Sequence, residues 1–133
     1  MRTLAGVLGI LVLLLAGTAF SAEGAATQKE ERFAIAAEGS EVSAEITHLT
    51  GRAPFYQIYD MKGNPIEVVE NVYLGQEFNI GPQAAALLGD KHVTVLVGGS
   101  AGPKMMDVLD KKDIRFVYRK GVVQDVVKEL KAE

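Results

Sequence analysis

Two glycine-containing loops carry the residues of this sequence that are best suited to binding a ligand. Residues 98–102 (GGSAG) stand between an apolar run and a helix predicted to begin at Pro103. A helix start offers free backbone N–H groups and the positive end of the helix dipole. Ser100 adds a hydroxyl and Lys104 a positive charge, while glycine permits close approach and positive φ. The pattern predicts an anion-binding site formed by Gly98, Gly99, Ser100, Gly102 and Lys104.

The glycine loop has a second interpretation. Its spacing matches neither the dinucleotide-binding fingerprint nor the P-loop, so the pattern does not identify a nucleotide site. A tight strand-to-helix turn also needs glycine for packing alone, and the sequence leaves both interpretations open.

The second loop is Gly51-Arg52-Ala53-Pro54. The planar guanidinium of Arg52 is suited to holding an anionic ligand, although a solvent-facing arginine in a turn explains the residue equally well. His48 lies three residues before Gly51. As a neutral imidazole it could give one ligand to a cofactor that brings its other ligands, or it could simply be a polar loop residue.

The adjacent methionines Met105 and Met106 could indicate a copper-binding site, because thioethers are soft ligands. Neighbouring positions on a helix point about 100° apart, so the two side chains cannot easily chelate one ion. Met105 and Leu109 have the i, i+4 spacing of a buried stripe. We interpret the pair as part of the core.

The sequence lacks the parts of an enzyme. It has no cysteine, and its serines stand in no nucleophile-elbow context. A two-metal nuclease needs carboxylates to hold its ions, yet the predicted strands at 32–37 and 93–97 carry none. A hydrolase for phosphorylated substrates would need a nucleophile paired with a base, and no such pair is evident. We therefore expect a non-catalytic protein.

Composition excludes further classes. The chain has 133 residues with 14 Lys and Arg against 17 Asp and Glu, a net charge of −3. This acidic balance argues against a nucleic-acid-binding surface. The absence of cysteine excludes disulfides, Cys-ligated zinc and Cys-ligated iron–sulfur clusters.

The hydrophobic period changes along the chain and predicts an α/β domain. Strands are expected at 32–37, 54–60, 65–71, 93–97 and 114–118, with a weaker alternating stretch at 41–46. Helices are expected at 82–88, from Pro103, and after Gly121, where the apolar stripe is Val122, Val123, Val126, Val127 and Leu130. The β-β-β-α-β-α-β-α order predicts a mixed five-stranded sheet with three helices, as in the ribonuclease H-like topology.

The N-terminus has the pattern of a signal peptide. A single positive charge at Arg2 precedes an apolar run from Leu4 to Ala16, and Ala19 and Ser21 place small residues at −3 and −1 of a cut after Ser21. We expect a signal peptide at 1–21, a flexible spacer at 22–31 and a domain at 32–133. The mature protein would be periplasmic or secreted and would not associate with the membrane. An uncleaved anchor is the alternative.

Residues 32–131 resemble the dinitrogenase iron–molybdenum cofactor biosynthesis domain family. The matching motifs are RFAIAAEG, GRAPFYQIYD, PIEVVEN, GPQAAALL, VTVLVGGSAGPKMMDVLD, IRFVY and GVVQDVVKEL. The resemblance implies a ligand-carrying rather than a catalytic protein, whose cargo is an iron–molybdenum or other iron–sulfur-type cluster. Such a cargo would be held at the two loops described above, with a predicted binding site at Gly51, Arg52, Gly98, Gly99, Ser100, Gly102 and Lys104. Many members have His-Phe-Gly before Arg-Ala-Pro, and the candidate metal ligand here, His48, stands one residue earlier.

A second function remains open at this point. The chain could be a ligand-free interaction or sensor module in which the glycine loops are only turns. Exposed strand edges and the hydroxyls of its four tyrosines would then serve a protein partner, namely Tyr56, Tyr59, Tyr73 and Tyr118.

Overall fold

The computed structural model describes residues 30–131, which form five strands and three α-helices in the predicted order. The strands are β1 (Arg32–Ala37), β2 (Phe55–Asp60), β3 (Pro65–Glu70), β4 (Val93–Gly98) and β5 (Arg115–Tyr118). The helices are α1 (Ile80–Asp90), α2 (Pro103–Lys111) and α3 (Val123–Lys131), and a short 3₁₀ turn spans Thr50–Arg52. The α/β class and the mixed sheet with three helices are confirmed.

The strands lie in the order β3-β2-β1-β4-β5. β2 is antiparallel to both of its neighbours, whereas β4 runs parallel to β1 and to β5. This is the ribonuclease H-like arrangement expected from the sequence. Because β1, β4 and β5 share one direction, their carboxyl ends lie at the same edge of the sheet, where the loops after them can meet.

β1 lies at the centre of the sheet and is buried on both faces. Phe33 and Ile35 point into a core layer beneath α3, together with Val95 of β4. Ala34 and Ala36 point into the opposite layer, which α1 and α2 cover. Small side chains on this face allow those helices to pack close to the sheet.

Four of the five residues of the predicted apolar stripe lie in the last helix and face the core. Val123, Val126 and Leu130 are buried, and Val127 packs at the edge of the same cluster. Val122 precedes the helix, where it forms an isolated bridge with Glu45. The helical spacing of the valines therefore predicted the buried face correctly.

α1 begins at Ile80, two residues before the predicted start at Pro82. Asn79 takes the left-handed conformation (φ 63°) and allows the chain to turn into the helix. Proline is tolerated in a first turn, where its missing N–H would have no intrahelical partner. Pro82 therefore lies inside the first turn rather than at its beginning.

The weak alternating stretch at 41–46 is not a strand, which corrects that expectation. Its pairing is limited to isolated bridges, Ala37 with Ile46 and Glu45 with Val122. The Gln57 side-chain amide donates to the carbonyl oxygens of Gly39 and Glu41 at 3.0 and 2.8 Å. The segment is thus held over the α3 face by a side chain of β2.

The predicted signal peptide at 1–21 and nearly all of the spacer at 22–31 lie outside the described residues. Between residues 30 and 131, no helix is long and apolar enough to cross a membrane.

Candidate functional site

A cavity of about 510 Å³ opens at the carboxyl edge of the sheet, where the 3₁₀ turn meets the N-termini of α1 and α2. Its walls come from three separate segments of the chain. The residues that line it are Leu49, Gly51, Arg52, Glu77, Phe78, Asn79, Ile80, Gly81, Pro82, Ser100, Ala101, Gly102, Pro103, Lys104 and Met105. Most of these side chains are apolar, and the charged ones are Arg52, Lys104 and Glu77.

The glycine loop after β4 holds the 3₁₀ turn in place. The Thr50 N–H donates to the Ser100 carbonyl at 2.8 Å, and the Ser100 N–H donates to the His48 carbonyl at 2.6 Å. The Gly99 N–H donates to the Thr47 carbonyl at 3.0 Å. The N–H groups of Gly99 and Ser100 are therefore already used within the protein.

Gly98 and Gly99 allow the close contact between the glycine loop and the 3₁₀ turn, and they do not form the surface of the cavity. A Cβ at residue 98 would overlap the Thr50 side chain, and one at residue 99 would overlap the His48 carbonyl group. Both glycines are buried, neither lines the cavity and neither takes a positive φ. Of the two properties that glycine permits, close approach and positive φ, these positions use the close approach, because an added Cβ would overlap the 3₁₀ turn segment.

The 3₁₀ turn also packs tightly against α1. A Cβ added to Gly51 would lie 2.8 Å from the Gly81 Cα, and one added to Gly81 would lie 3.2 Å from the Met105 Cβ. Met105 is only 2% exposed and forms part of the cavity wall. Met105 and Leu109 belong to the hydrophobic core, and Met106 packs against it. The core interpretation of the methionines is confirmed.

Two helix N-termini face the cavity without a capping side chain. Gly102 precedes α2 with Pro103 at its first position, and Asn79 precedes α1. Neither residue makes a side-chain hydrogen bond to its helix. The first-turn N–H groups, among them that of Lys104, lack an intrahelical acceptor and are placed to receive an anion.

The cations of the cavity have no competing partner. Arg52 and Lys104 are exposed, and within residues 30–131 their side chains make no hydrogen bond or ion pair. Ser100 is also exposed. Glu77 contributes one negative charge to the rim, so the local excess is one positive charge in addition to the helix dipoles.

The structure brings most of the predicted site residues together. Those that line the cavity are Gly51, Arg52, Ser100, Gly102 and Lys104, whereas Gly98 and Gly99 lie beneath it. His48 is exposed and outside the cavity lining. Among residues 30–131 no cluster of three His, Asp or Glu side chains could hold a metal ion. His48 as a metal ligand stays a prediction.

Sequence reasoning missed the apolar rim of the cavity. Phe78 is 74% exposed and Leu49 is 49% exposed, although both line the opening. The available signal was a phenylalanine in the polar segment Gly75-Gln76-Glu77-Phe78-Asn79, where neither a strand nor a helix period would bury it. Its position beside the 3₁₀ turn follows only from the tertiary fold.

A buried tyrosine supports the turn from below. The Tyr56 hydroxyl donates to the Thr50 carbonyl at 2.7 Å, and burial raises the pKa of this phenol well above its ordinary value. Tyr59 is also buried and donates to the Gln57 side-chain oxygen at 2.6 Å. The expectation that these two hydroxyls serve a protein partner is therefore wrong. Tyr118, by contrast, is 52% exposed.

Comparison with known proteins agrees with the fold and the motifs. The model of the dinitrogenase iron-molybdenum cofactor family matches residues 31–133. The apo form of the orange protein from Desulfovibrio gigas is 25% identical, with 77% of this chain and 88% of that chain covered and a TM-score of 0.71.

A Thermotoga protein, provisionally assigned as NifB and placed in the DUF35 family, has an NMR structure that is also similar. It is 27% identical, with 75% of this chain and 89% of that chain covered and a TM-score of 0.63. The comparison with curated proteins gave no match. Since the family model covers the whole described domain, the chain belongs to the dinitrogenase iron–molybdenum cofactor family.

Proposed function

We propose that this chain is an exported, non-catalytic binding protein that holds a preassembled anionic metal cluster in the cavity. The observation that carries the proposal is the convergence of two uncapped helix N-termini with two cations, Arg52 and Lys104, around one opening. Neither cation has an ion-pair partner among residues 30–131. Gly51, Ser100 and Gly102 complete the polar wall, and Gly98 and Gly99 support it from beneath.

The residues present fit a cluster that brings its own ligands. The chain has no cysteine, and residues 30–131 offer no cluster of three His, Asp or Glu side chains that would coordinate a bare ion. Donors and cations instead match the overall negative charge of an assembled cluster. A cluster seated against the apolar part of the wall would displace water from the cavity, which would strengthen these electrostatic contacts. His48 would be an additional ligand at the edge of the cavity.

The family supports the class of cargo. The family is that of the dinitrogenase iron–molybdenum cofactor, and the similar structure of the orange protein is an apo form. We extend this to an iron–molybdenum or related iron–sulfur-type cluster as cargo. The sequence pattern of a signal peptide at 1–21 supports export, in which case the mature protein would carry the cluster in the periplasm or outside the cell.

Native mass spectrometry tests both parts of the proposal. The protein is purified without oxygen from its own host, weighed, and analysed for iron and molybdenum. We expect a polypeptide that begins at Ala22 and a discrete excess mass that contains metal. A chain that still carries residues 1–21 contradicts cleavage, and a bare mass contradicts a stably held cargo.

Charge variants then test the location of the site. In anaerobic equilibrium dialysis with isolated iron–molybdenum cofactor, Arg52→Ala and Lys104→Glu should each weaken binding about tenfold, because each removes one charge-assisted contact. Arg115→Ala and Lys112→Glu are matched controls at exposed positions outside the cavity. Equal affinities for all four variants would place the cargo elsewhere.

An interaction module remains the second candidate, and one observation favours it. Leu49 and Phe78 are exposed at the rim of the cavity, and Val72, 71% exposed, begins the segment that leads to Phe78. A stoichiometric protein partner cross-linked at Phe78, together with a bare mass in the experiment above, would favour this function over cargo binding.

A further inference from the structure

Asn71 occupies an unusual place between two walls of the cavity without lining it. It follows β3 directly and is 4% exposed. Its side-chain amide donates to the Ala53 carbonyl at 2.9 Å and to the Gly51 carbonyl at 3.3 Å. Those two carbonyls flank Arg52 along the chain, so one buried side chain fixes the backbone on both sides of the cavity arginine.

The other end of the same side chain holds the second wall. The Asn71 side-chain oxygen accepts the Tyr73 N–H at 3.1 Å, and its backbone N–H donates to the Pro54 carbonyl at 2.9 Å. The segment that begins at Tyr73 leads to Glu77 and Phe78, which also line the cavity. Asn71 thus bonds to both segments whose spacing sets the mouth of the cavity.

The Asn71 side chain makes four hydrogen bonds, the fourth a long one of 3.5 Å from its amide to the Tyr56 hydroxyl, and so holds its partners in a narrow range of positions. Loss of one partner leaves carbonyl groups unpaired in the interior, which costs more than the hydrogen bond itself contributes. Backbone carbonyls cannot rotate away independently, so the turn as a whole must shift. A shift of the turn would change the position of Arg52 relative to Phe78.

We infer that Asn71 is a positioning residue that couples the Arg52 turn to the Glu77–Phe78 wall and thereby sets the width of the cavity mouth. Only the expected effect of Asn71 on ligand binding rests on the proposed function. The geometric coupling is a property of the ligand-free protein.

Asn71→Asp tests the coupling with a change that hardly alters the shape of the side chain. It replaces the N–H₂ group, which donates to two carbonyls, with a carboxylate oxygen that cannot donate. The chain offers a matched control in Gln57→Glu. Gln57 is 2% exposed, and its amide also donates to two backbone carbonyls, those of Gly39 and Glu41, away from the cavity. Both variants should lose stability to a similar extent.

The first measurement uses backbone amide NMR of the ligand-free full chain. Asn71→Asp should shift the signals of both Arg52 and Phe78, while Gln57→Glu should leave both in place. If Phe78 does not respond to Asn71→Asp, Asn71 anchors only the turn and the inference is wrong. If Gln57→Glu moves the same signals, the response is a general loss of stability and the inference is also wrong.

The second measurement is anaerobic equilibrium dialysis with isolated iron–molybdenum cofactor. Asn71→Asp should weaken binding about tenfold and Gln57→Glu by less than about twofold. Equal affinities for the two variants would overturn the positioning role. If wild type itself does not bind this probe, the proposed function fails while the NMR result still decides the coupling. If either aspartate or glutamate variant does not fold, Asn71→Ser and Gln57→Ser replace the pair in both measurements.

Discussion

Gly99 packs directly against the backbone of His48, and the space between them leaves no room for a Cβ atom. The neighbouring N–H of Ser100 donates to the same His48 carbonyl at 2.6 Å. This contact joins the end of β4 to the 3₁₀ turn that carries Arg52, across 51 positions of the sequence. The glycine loop therefore connects β4 to the 3₁₀ turn, and its later residues, 100–102, form one wall of the cavity.

We expect Gly99→Ala to destabilise the protein by about 1–3 kcal/mol, because the added methyl group forces the turn and β4 apart. Gly75→Ala is the control, since no atom lies within 4 Å of its Cβ position and its φ is not left-handed. That variant should stay within about 0.5 kcal/mol of wild type. Urea denaturation measures both, and equal stabilities would contradict the close contact at Gly99.

The sequence was sufficient to predict the five strands and three helices, because each has either a hydrophobic period or a continuous apolar run of strand length. The apolar run Val93–Val97 is typical of a strand buried on both faces, and β4 is buried in this way between α3 and the α1–α2 layer. The i, i+4 spacing of Met105 and Leu109 identified the buried face of α2. Local pattern is enough here because burial repeats with the period of the element.

The cavity could be predicted only in part. Gly51, Arg52, Ser100, Gly102 and Lys104 were recognised from local patterns, but those patterns do not specify what approaches a glycine. The function of Gly99 depends on His48, and the exposure of Phe78 depends on a segment with no regular period. Such relationships arise from tertiary contacts between residues far apart in the chain, so no local spacing reports them.

The register of β3 gives a second prediction. Ile66 and Val68 share one face, as the alternation predicts, but that face is exposed and Val69 is the buried residue. Val69→Ala should cost about 1–3 kcal/mol through lost burial and the cavity left behind. Val68→Ala should cost less than about 0.5 kcal/mol. Thermal or urea unfolding compares them, and the opposite ranking would mean that β3 pairs in another register.

A carboxylate at the β2–β3 turn should contribute to acid sensitivity. The Asp60 carboxylate accepts hydrogen bonds from the Asn64 backbone N–H and side chain and from the Lys62 N–H, and these bonds lower its pKa from the ordinary value of 3.8. The folded state therefore releases the proton more easily than the unfolded state. The resulting stabilisation is complete above pH 3.8 and is lost as the pH falls through the lowered pKa.

Asp60→Asn should flatten the acid limb of the stability profile, because the amide does not titrate. Asp107→Asn is the control: Asp107 is exposed and has no hydrogen-bond or ion-pair partner within the described residues. Urea midpoints measured from about pH 2 to pH 6 would distinguish the two variants. An unchanged acid limb in Asp60→Asn would show that the turn carboxylate does not contribute.

The buried phenol beneath the 3₁₀ turn gives the corresponding prediction at alkaline pH. Burial raises the pKa of Tyr56 above its ordinary value of 10.0, so the folded state keeps a proton that the unfolded state releases. This contribution to stability is complete below pH 10 and declines as the pH rises beyond it. Tyr56→Phe should cost about 1–3 kcal/mol at neutral pH, because the Thr50 carbonyl loses its short hydrogen bond from the hydroxyl and keeps only the longer one from the Ala53 N–H. The same variant should reduce the loss of stability above pH 10.

Tyr118→Phe is the matched control for this variant, since its ring is 52% exposed and its hydroxyl makes no hydrogen bond within residues 30–131. It should change neither the neutral stability nor the alkaline limb. Unfolding free energies at about pH 7 and about pH 11 are sufficient for the comparison. If Tyr56→Phe lost stability with pH as steeply as wild type, the alkaline transition would have to arise from another group. Tyr59 is the first to examine, because burial raises its pKa as well.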